Sequence, residues 1–310
     1  MKKLLIFLLI FAILPGCGQK ETSAQETIFC MDTVMDVRIW GKDADAAKDA
    51  VIEMLYSLES TWSSTDENSV LWALNHGQPD LTQEQMAVLE QALFLQQCTA
   101  GAFDPQLYSV VRLWGFYEDT YRVPDASEIT AALQEEKWDL GAMIKGYAGY
   151  RAVQILEDFD VDRAILNLGG NVQTYGSKPG SEAWKIGVQN PGSGDNLGVL
   201  AVEGTMAVVT SGDYQRFFEV DGVRYHHILN PETGFPAESG LRSVTVICAD
   251  GTVADAYSTA LFVMGLERAV VFWQENQDFE AVFVLDDGRI YATEGAALSG
   301  CEYEVIRHEN

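Results

Sequence analysis

IKGYAGYRAVQILEDFDVDRAILNLGGNVQTY, residues 144–175, is where the chain changes texture. Up to about residue 159 its apolar side chains recur at helical spacing. From residue 164 the pattern becomes two short β-rich runs, 164–168 and 171–175, parted by Gly169 and Gly170. On the N-terminal side helical spacing dominates. Ala46, Ala47, Ala50, Val51, Met54, Leu55 and Leu58 predict a helix over 45–58, fed by the strand TVMDVRIW at 33–40. Further helices are predicted over 69–74, 82–98 and 107–116, and another begins at Pro124–Asp125. On the C-terminal side β-rich runs at 184–189, 197–202, 206–210, 215–220 and 243–247 are separated by Gly, Pro, Asn and Asp. Two helices, 253–264 and about 267–275, interrupt them. Asp286-Asp287-Gly288 then turns a last hairpin between 282–285 and 289–292. The fold class expected is α+β: a helix-rich N-terminal half packed with a strand-rich C-terminal half, without the regular alternation of a doubly wound sheet.

Before any fold reasoning the N-terminus is set apart. Lys2 and Lys3 precede the apolar run 4–14, which is shorter than the roughly 20 residues a spanning helix needs and reads as a signal-peptide core. Leu14-Pro15-Gly16-Cys17 resembles the lipobox of bacterial lipoproteins, in which cleavage precedes a cysteine that then carries lipid, palmitate included. An ordinary secretory signal with an incidental cysteine is the other reading. The expected organisation is a lipoprotein signal peptide at 1–16, lipidated Cys17 with a polar linker at 17–27, and one domain over 28–310. Anchoring through Cys17 would place that domain at the outer face of the bacterial cytoplasmic membrane, on its periplasmic or extracellular side.

With 46 acidic residues against 20 basic ones and a net charge of −26, the chain has no electrostatic footprint for nucleic acid. The same field repels anionic substrates, so a phosphate-bearing ligand needs a local device such as a divalent cation, a lysine or backbone amides. Cysteines number five. If Cys17 carries lipid, Cys30, Cys98, Cys248 and Cys301 remain. No C-x-x-C pair occurs among them, which argues against zinc and dithiol chemistry and leaves disulfides open.

Several short constellations bear on chemistry. Asp255 and Thr259 stand four apart in an apolar helix and so share a face. A carboxylate and a hydroxyl there can hold a hard cation; alternatively Thr252-Val-Ala-Asp255 is a capping box, and Thr259 bonds back to its own helix. His226-His227-Ile-Leu-Asn230-Pro231-Glu-Thr233-Gly234 follows a hairpin turned at Asp221–Gly222. Neighbours on a strand face opposite ways, so only one histidine of the pair can enter a given site, as a general base or as a structural partner of turn backbone. Asp139-Leu-Gly-Ala142-Met-Ile-Lys145-Gly146-Tyr147 puts a glycine-broken loop before a helix start, where amides and Lys145 can meet a pyrophosphate. It is not a P-loop, because the required glycine spacing is absent. Asn167-Leu-Gly169-Gly170-Asn171 and Gly101-Ala102-Phe103-Asp104-Pro105 are turns that inform only in company.

In order, these segments resemble the ApbE family, the FAD:protein FMN transferases. The resemblance covers the chain downstream of the linker: Met31-Asp-Thr33-Val-Met35, Ser63 through Ser69 to Asn75, Gly101 to Pro105 with Leu113-Trp114-Gly115-Phe116, the Asp139 loop, Asn167 to Asn171, Ser211-Gly, the His227 turn and Ala254 to Thr259. It implies an ApbE-like, T-fold-like architecture. It also implies an enzyme that binds FAD as substrate with Mg²⁺, moves FMN to a threonine or serine hydroxyl of a partner respiratory or redox protein, and releases AMP. Carried residue by residue, Asp255, Thr259 and the Ala142 carbonyl would hold the ion. Met31, Ala102, Phe103, Asp104, Asp139, Lys145 and Ile228 would contact FAD, and His227 would deprotonate the acceptor. Two positions depart from the pattern. Thr65 stands where many relatives carry an aromatic, which would loosen FAD retention or favour water as acceptor, and Asn230 stands where aspartate is more frequent. An FAD pyrophosphatase and a flavin-binding lipoprotein without turnover are the competing readings.

Overall fold

The computed structural model describes residues 22–77, 79–118 and 120–308; the expected signal peptide and Cys17 lie outside the described residues. The chain enters through an antiparallel hairpin, β1 (Ser23–Cys30) and β2 (Thr33–Gly41), joined by the two-residue turn Met31–Asp32. Helices follow: α1 (Ala44–Trp62), α2 (Val70–His76), α3 (Gln83–Cys98), α4 (Tyr108–Trp114), α5 (Ala126–Ala132) and α6 (Ile144–Leu156). Strands then dominate, with β3 (Val161–Leu168), β4 (Asn171–Tyr175), β5 (Trp184–Gln189), β6 (Asn196–Val202), β7 (Ala207–Gly212), β8 (Phe217–Val220), β9 (Val223–His226) and β10 (Leu241–Cys248). After α7 (Gly251–Glu275) come β11 (Phe279–Leu285), β12 (Ile290–Thr293), β13 (Leu298–Ser299) and β14 (Glu304–Ile306).

Among the described residues, nine strands form one sheet in the order β1-β2-β3-β4-β7-β10-β11-β12-β14, antiparallel except for the parallel β12–β14 pair. Helices α1, α6 and α7 cover one face of it. A small sheet of β13, β6 and β5 covers part of the other, packing Trp184, Ile186, Val188 and Leu200 on Val208, Ile247 and Val282. Strand β10 is therefore buried on both faces, with Val244, Val246 and Cys248 toward the helices and Ile247 toward the small sheet. That is why LRSVTVIC carries no clean polar alternation. A third cluster joins α4 and α5 to the β8–β9 hairpin through Val110, Trp114, Ile129, Phe218, Tyr225 and Leu229. The Trp114 indole donates to the Gly234 carbonyl at 2.8 Å, fixing the segment after β9 against α4.

Most predicted elements stand where periodicity put them, and the differences have physical causes. The tether expected over 17–27 is too long. Ser23 already pairs with Trp40, and only Ala24, Ile28 and Cys30 of β1 are buried. An edge strand with one polar face reads as linker. The N-terminal half consequently gives a hairpin to the main sheet. The two helices expected at 253–264 and 267–275 form the single element α7, broken at Gly265, whose φ of 75° is open to glycine at little cost. The β11–β12 hairpin is followed by β13 and β14, so it is not the last element. Cys30, Cys98, Cys248 and Cys301 are all free.

Candidate active site

The turns at Met31 and Gly169, the end of α1, the 102–104 turn, the starts of α6 and α7, and the segment after β9 converge on a cleft of about 750 Å³. Every residue that the resemblance assigns to the ion, to FAD or to the acceptor lines it.

Asp255 is not spent on capping. The N-cap of α7 is Asp250, which accepts from the N–H groups of Thr252 at 2.7 Å and Val253 at 3.3 Å. The capping-box alternative therefore fails, because an acid two residues upstream of Thr252 already does that work. Asp255 is buried instead one turn into the helix, where its Oδ2 accepts the Gly146 N–H at 2.8 Å. Only glycines allow the approach, since a Cβ on Gly146 would collide with the Gly251 carbonyl and the Asp255 Cβ. At a helix start the Gly146 N–H would ordinarily seek the carbonyl four residues back, which is that of Ala142. Given to Asp255, it leaves the Ala142 carbonyl without a backbone donor among the described residues. Burial pushes the Asp255 carboxyl above its ordinary range, opposed by the Lys145 charge and the Gly146 N–H.

These atoms fit a hard cation. Asp255 Oδ1 is not used by the Gly146 bond, the Ala142 carbonyl has no backbone donor among the described residues, and the Thr259 hydroxyl lies one turn on from Asp255 in the same cleft. All are oxygens, the donor type that Mg²⁺ prefers, and Mg²⁺ usually completes its shell with water and substrate phosphate. Among the described residues no group of three or more His, Cys, Asp or Glu side chains could hold a metal.

His227 presents a defined tautomer. Its backbone N–H and its ring Nδ1 both reach the Arg216 carbonyl, at 3.1 and 3.0 Å. A carbonyl only accepts, so Nδ1 carries the ring proton and Nε2 holds the lone pair. Bonding to turn backbone and serving as a base are thus not alternatives here. Burial pushes the ring's pKa down to about 3, helped by the nearby Arg216 and Lys145 charges, so the imidazole is neutral at physiological pH. His226 faces the other way, buried edge-on against Phe262, as strand alternation requires.

The remaining wall is built from tied-down turns. Asp139 receives the Gly141 N–H at 2.8 Å, and its own N–H donates to the Pro105 carbonyl at 2.7 Å. Asn75 clamps the residue before it from both sides: Nδ2 donates to the Trp138 carbonyl at 2.8 Å, and Oδ1 accepts the Trp138 N–H at 2.7 Å. Burial pushes the Asp139 carboxyl up. In Asp104, Oδ1 accepts from the Gln106 N–H and the Gln96 amide, both at 2.8 Å, which holds the turn carrying the buried Ala102 and Phe103. Met31 and Asp32 adopt φ of 52° and 57°, left-handed conformations rare outside glycine, and the Met31 N–H donates to Glu59 Oε1 at 2.7 Å. Lys145 and Ile228 complete the wall. Thr65 is exposed at the rim, and Asn230 Oδ1 accepts the Glu232 N–H at 2.9 Å, a task an aspartate would do equally well.

The lining residues that sequence reasoning missed include Glu59, Tyr117 and Arg216. Glu59 lies 28 positions from the turn it holds, and no local pattern announces that. The Tyr117 hydroxyl is buried beside Asp139, and burial together with that carboxylate pushes its pKa well above the ordinary tyrosine value. Arg216 contributes through its carbonyl, which residue type does not reveal.

A neutral, tautomer-locked imidazole thus shares a cleft with a lysine and with three oxygens of a kind that suits a hard cation, a combination suited to chemistry at phosphate. The sequence model of the ApbE family matches residues 31–283, and the chain belongs to that family. It is 33% identical to the FAD:protein FMN transferase of Treponema pallidum over 327 residues, covering 90% of each protein. Among solved structures it is similar to the ApbE protein of Thermotoga maritima, with a TM-score of 0.80, 36% identity and coverage of 88% of this chain and 97% of that one. The apo form of the flavinyl transferase ApbE from Pseudomonas stutzeri gives a TM-score of 0.77 at 26% identity, over 88% of this chain and 95% of that one.

Proposed function

We propose that this chain transfers FMN from FAD to a threonine or serine hydroxyl of a partner redox protein and releases AMP. The observation that carries the reading is the lone-pair Nε2 of His227, left by the Nδ1 bond to Arg216 at 3.0 Å, in the same cleft as Asp255, Thr259 and Ala142. A Mg²⁺ ion at those three oxygens would neutralise charge on the pyrophosphate and polarise the phosphorus under attack. Lys145 offsets further phosphate charge, which matters in a chain of net charge −26. The Met31, Asp104 and Asp139 turns orient the substrate. His227 Nε2 takes the proton of the acceptor hydroxyl as that oxygen bonds to the FMN phosphorus. The P–O bond to the AMP half breaks, AMP leaves with the bridging oxygen, and the proton passes from His227 to solvent. Flavin-linked threonine, AMP and one proton balance FAD and the hydroxyl.

One position favours a second reading. Thr65 at the exposed rim offers no aromatic face to the flavin, so water can replace the protein hydroxyl and yield FMN and AMP. We further propose that Cys17 carries the lipid and tethers the enzyme to the outer face of the cytoplasmic membrane. Among the described residues no helix is long and apolar enough to cross a membrane. The experiment incubates the purified protein with FAD, Mg²⁺ and a threonine-bearing acceptor domain, following AMP and the acceptor's mass. AMP with an acceptor gaining FMN supports transfer. AMP with only free FMN supports hydrolysis, and no AMP with any divalent ion overturns both.

A further inference from the structure

We propose that Ser211 and Ser258 are positioning residues that turn the Thr259 proton away from the cleft, so that Thr259 offers its oxygen, never its hydrogen, to the cation site. The inference rests on the cation chemistry proposed above and concerns residues to which that chemistry gives no role.

Three contacts carry it. The Ser258 hydroxyl donates to the Asp255 backbone carbonyl at 2.9 Å. Ser211 Oγ lies 2.8 Å from Ser258 Oγ and 3.1 Å from Thr259 Oγ1. Each hydroxyl has one proton, and a carbonyl has none to give. Ser258 spends its proton on Asp255, so in the Ser211–Ser258 pair Ser211 must donate. Ser211 has then spent its own, so in the Ser211–Thr259 pair Thr259 must donate. One proton arrangement satisfies all three contacts, and it runs Thr259 to Ser211 to Ser258 to the Asp255 carbonyl.

The consequence falls on the cleft. Thr259 and Ser211 line it, whereas Ser258 is fully buried behind them. With its hydrogen committed to Ser211, Thr259 keeps lone pairs for a ligand, which a hard cation requires. The chain also resolves what a hydroxyl in this helix does. Ser258, not Thr259, makes the bond back to its own helix, and it thereby frees Thr259 from that competing use. Strand β7 supplies Ser211 and helix α7 the other two, so packing of one element on the other sets the polarity of a ligand. Outer partners of this kind tune metal affinity without touching the metal.

The test measures Mn²⁺ affinity of the full chain by the EPR signal of free Mn²⁺, beside thermal unfolding in EDTA. Ser211→Ala removes the acceptor that the Thr259 proton has among the described residues and is expected to weaken Mn²⁺ binding about tenfold, in line with loss of an outer-shell partner, with the EDTA unfolding midpoint near wild type. Ser258→Ala leaves the Thr259–Ser211 contact but frees its direction, so a smaller loss is expected. Thr259→Ser should bind as wild type, and Thr259→Val should not bind. Wild-type Mn²⁺ affinity in either serine variant, with cooperative unfolding retained, overturns this inference alone. Absence of Mn²⁺ binding by the wild-type chain overturns it together with the cation chemistry beneath it. Should Ser211→Ala fold poorly, the Ser258→Ala measurement decides.

Discussion

The Gly146 N–H donates to Asp255 Oδ2 at 2.8 Å, joining the first turns of two helices that lie 109 residues apart in sequence. That bond does three things at once. It satisfies a helix-start donor, orients a buried carboxylate, and withholds from the Ala142 carbonyl its usual partner. The site is thus a by-product of how closely α6 crosses α7, and the crossing is set by Gly146 and Gly251.

Gly146→Ala should therefore damage fold and function together. Its Cβ has no room against the Gly251 carbonyl and the Asp255 Cβ, and overpacking of this kind costs about 1–3 kcal/mol. Urea unfolding should register that loss, and AMP release should fall to background because the carboxylate is displaced.

Asp255→Asn should separate the two. The amide keeps an oxygen for the Gly146 N–H but removes a charge whose burial pushes its carboxyl above the ordinary range. Stability in EDTA should hold or rise, while AMP release disappears. Saturating Mg²⁺ should raise the wild-type midpoint, by about 2.7 kcal/mol of stabilisation at a hundredfold excess over Kd, and leave the variant's midpoint unmoved. A Mg²⁺-dependent rise in the variant would contradict the ligand assignment.

Much of this is legible in the sequence. Helix α3 and the α6-to-β3 change of period follow from local spacing, and the family resemblance implies the grouping of Asp139, His227 and Asp255 in one cleft. What sequence could not give is what side chains do across long separations. By spacing alone Asp255 reads more readily as a cap than as a ligand, and only the Asp250 cap of α7 removes the first reading. His227 read equally as base or structural residue until its Nδ1 was found on the Arg216 carbonyl. Strand β1 was hidden because an edge strand needs few apolar residues.

Glu59 illustrates the same limit and supplies a test. The Met31–Asp32 turn places two non-glycine residues at positive φ, a conformation that persists only where neighbours enforce it, and Glu59 holds the Met31 N–H. Removing that charged acceptor in Glu59→Ala should cost about 1.5–3 kcal/mol and weaken FAD binding at least several-fold. Glu59→Gln retains an oxygen acceptor and should recover most of both. Flavin fluorescence quenching measures the affinity, and equal affinity in all three proteins would remove the turn from substrate recognition.

His227 gives the sharpest expectation, because its environment fixes both proton position and basicity. In ¹⁵N spectra the ring should show a protonated Nδ1 and a bare Nε2, since the Arg216 carbonyl can only accept. With the pKa pushed down to about 3 by burial, His227 should not titrate between pH 5 and 8, and flavin transfer should show no acid limb from this residue there. Stability responds differently. In the unfolded chain the ring returns to its ordinary pKa near 6.5, so between about pH 6.5 and 3 the unfolded state binds more protons than the folded one. Stability is therefore lost as pH falls through that window. His227→Gln abolishes this contribution, so the wild type's stability relative to the variant should shrink from pH 7.5 to pH 5, as read by urea unfolding at each pH. The same variant should slow transfer by about 10² to 10⁴, the usual worth of a general base. Its FAD affinity should stay within a few-fold, because the base meets the acceptor hydroxyl and not the flavin. A loss of FAD binding as large as the loss of rate would move His227 from proton transfer to substrate binding.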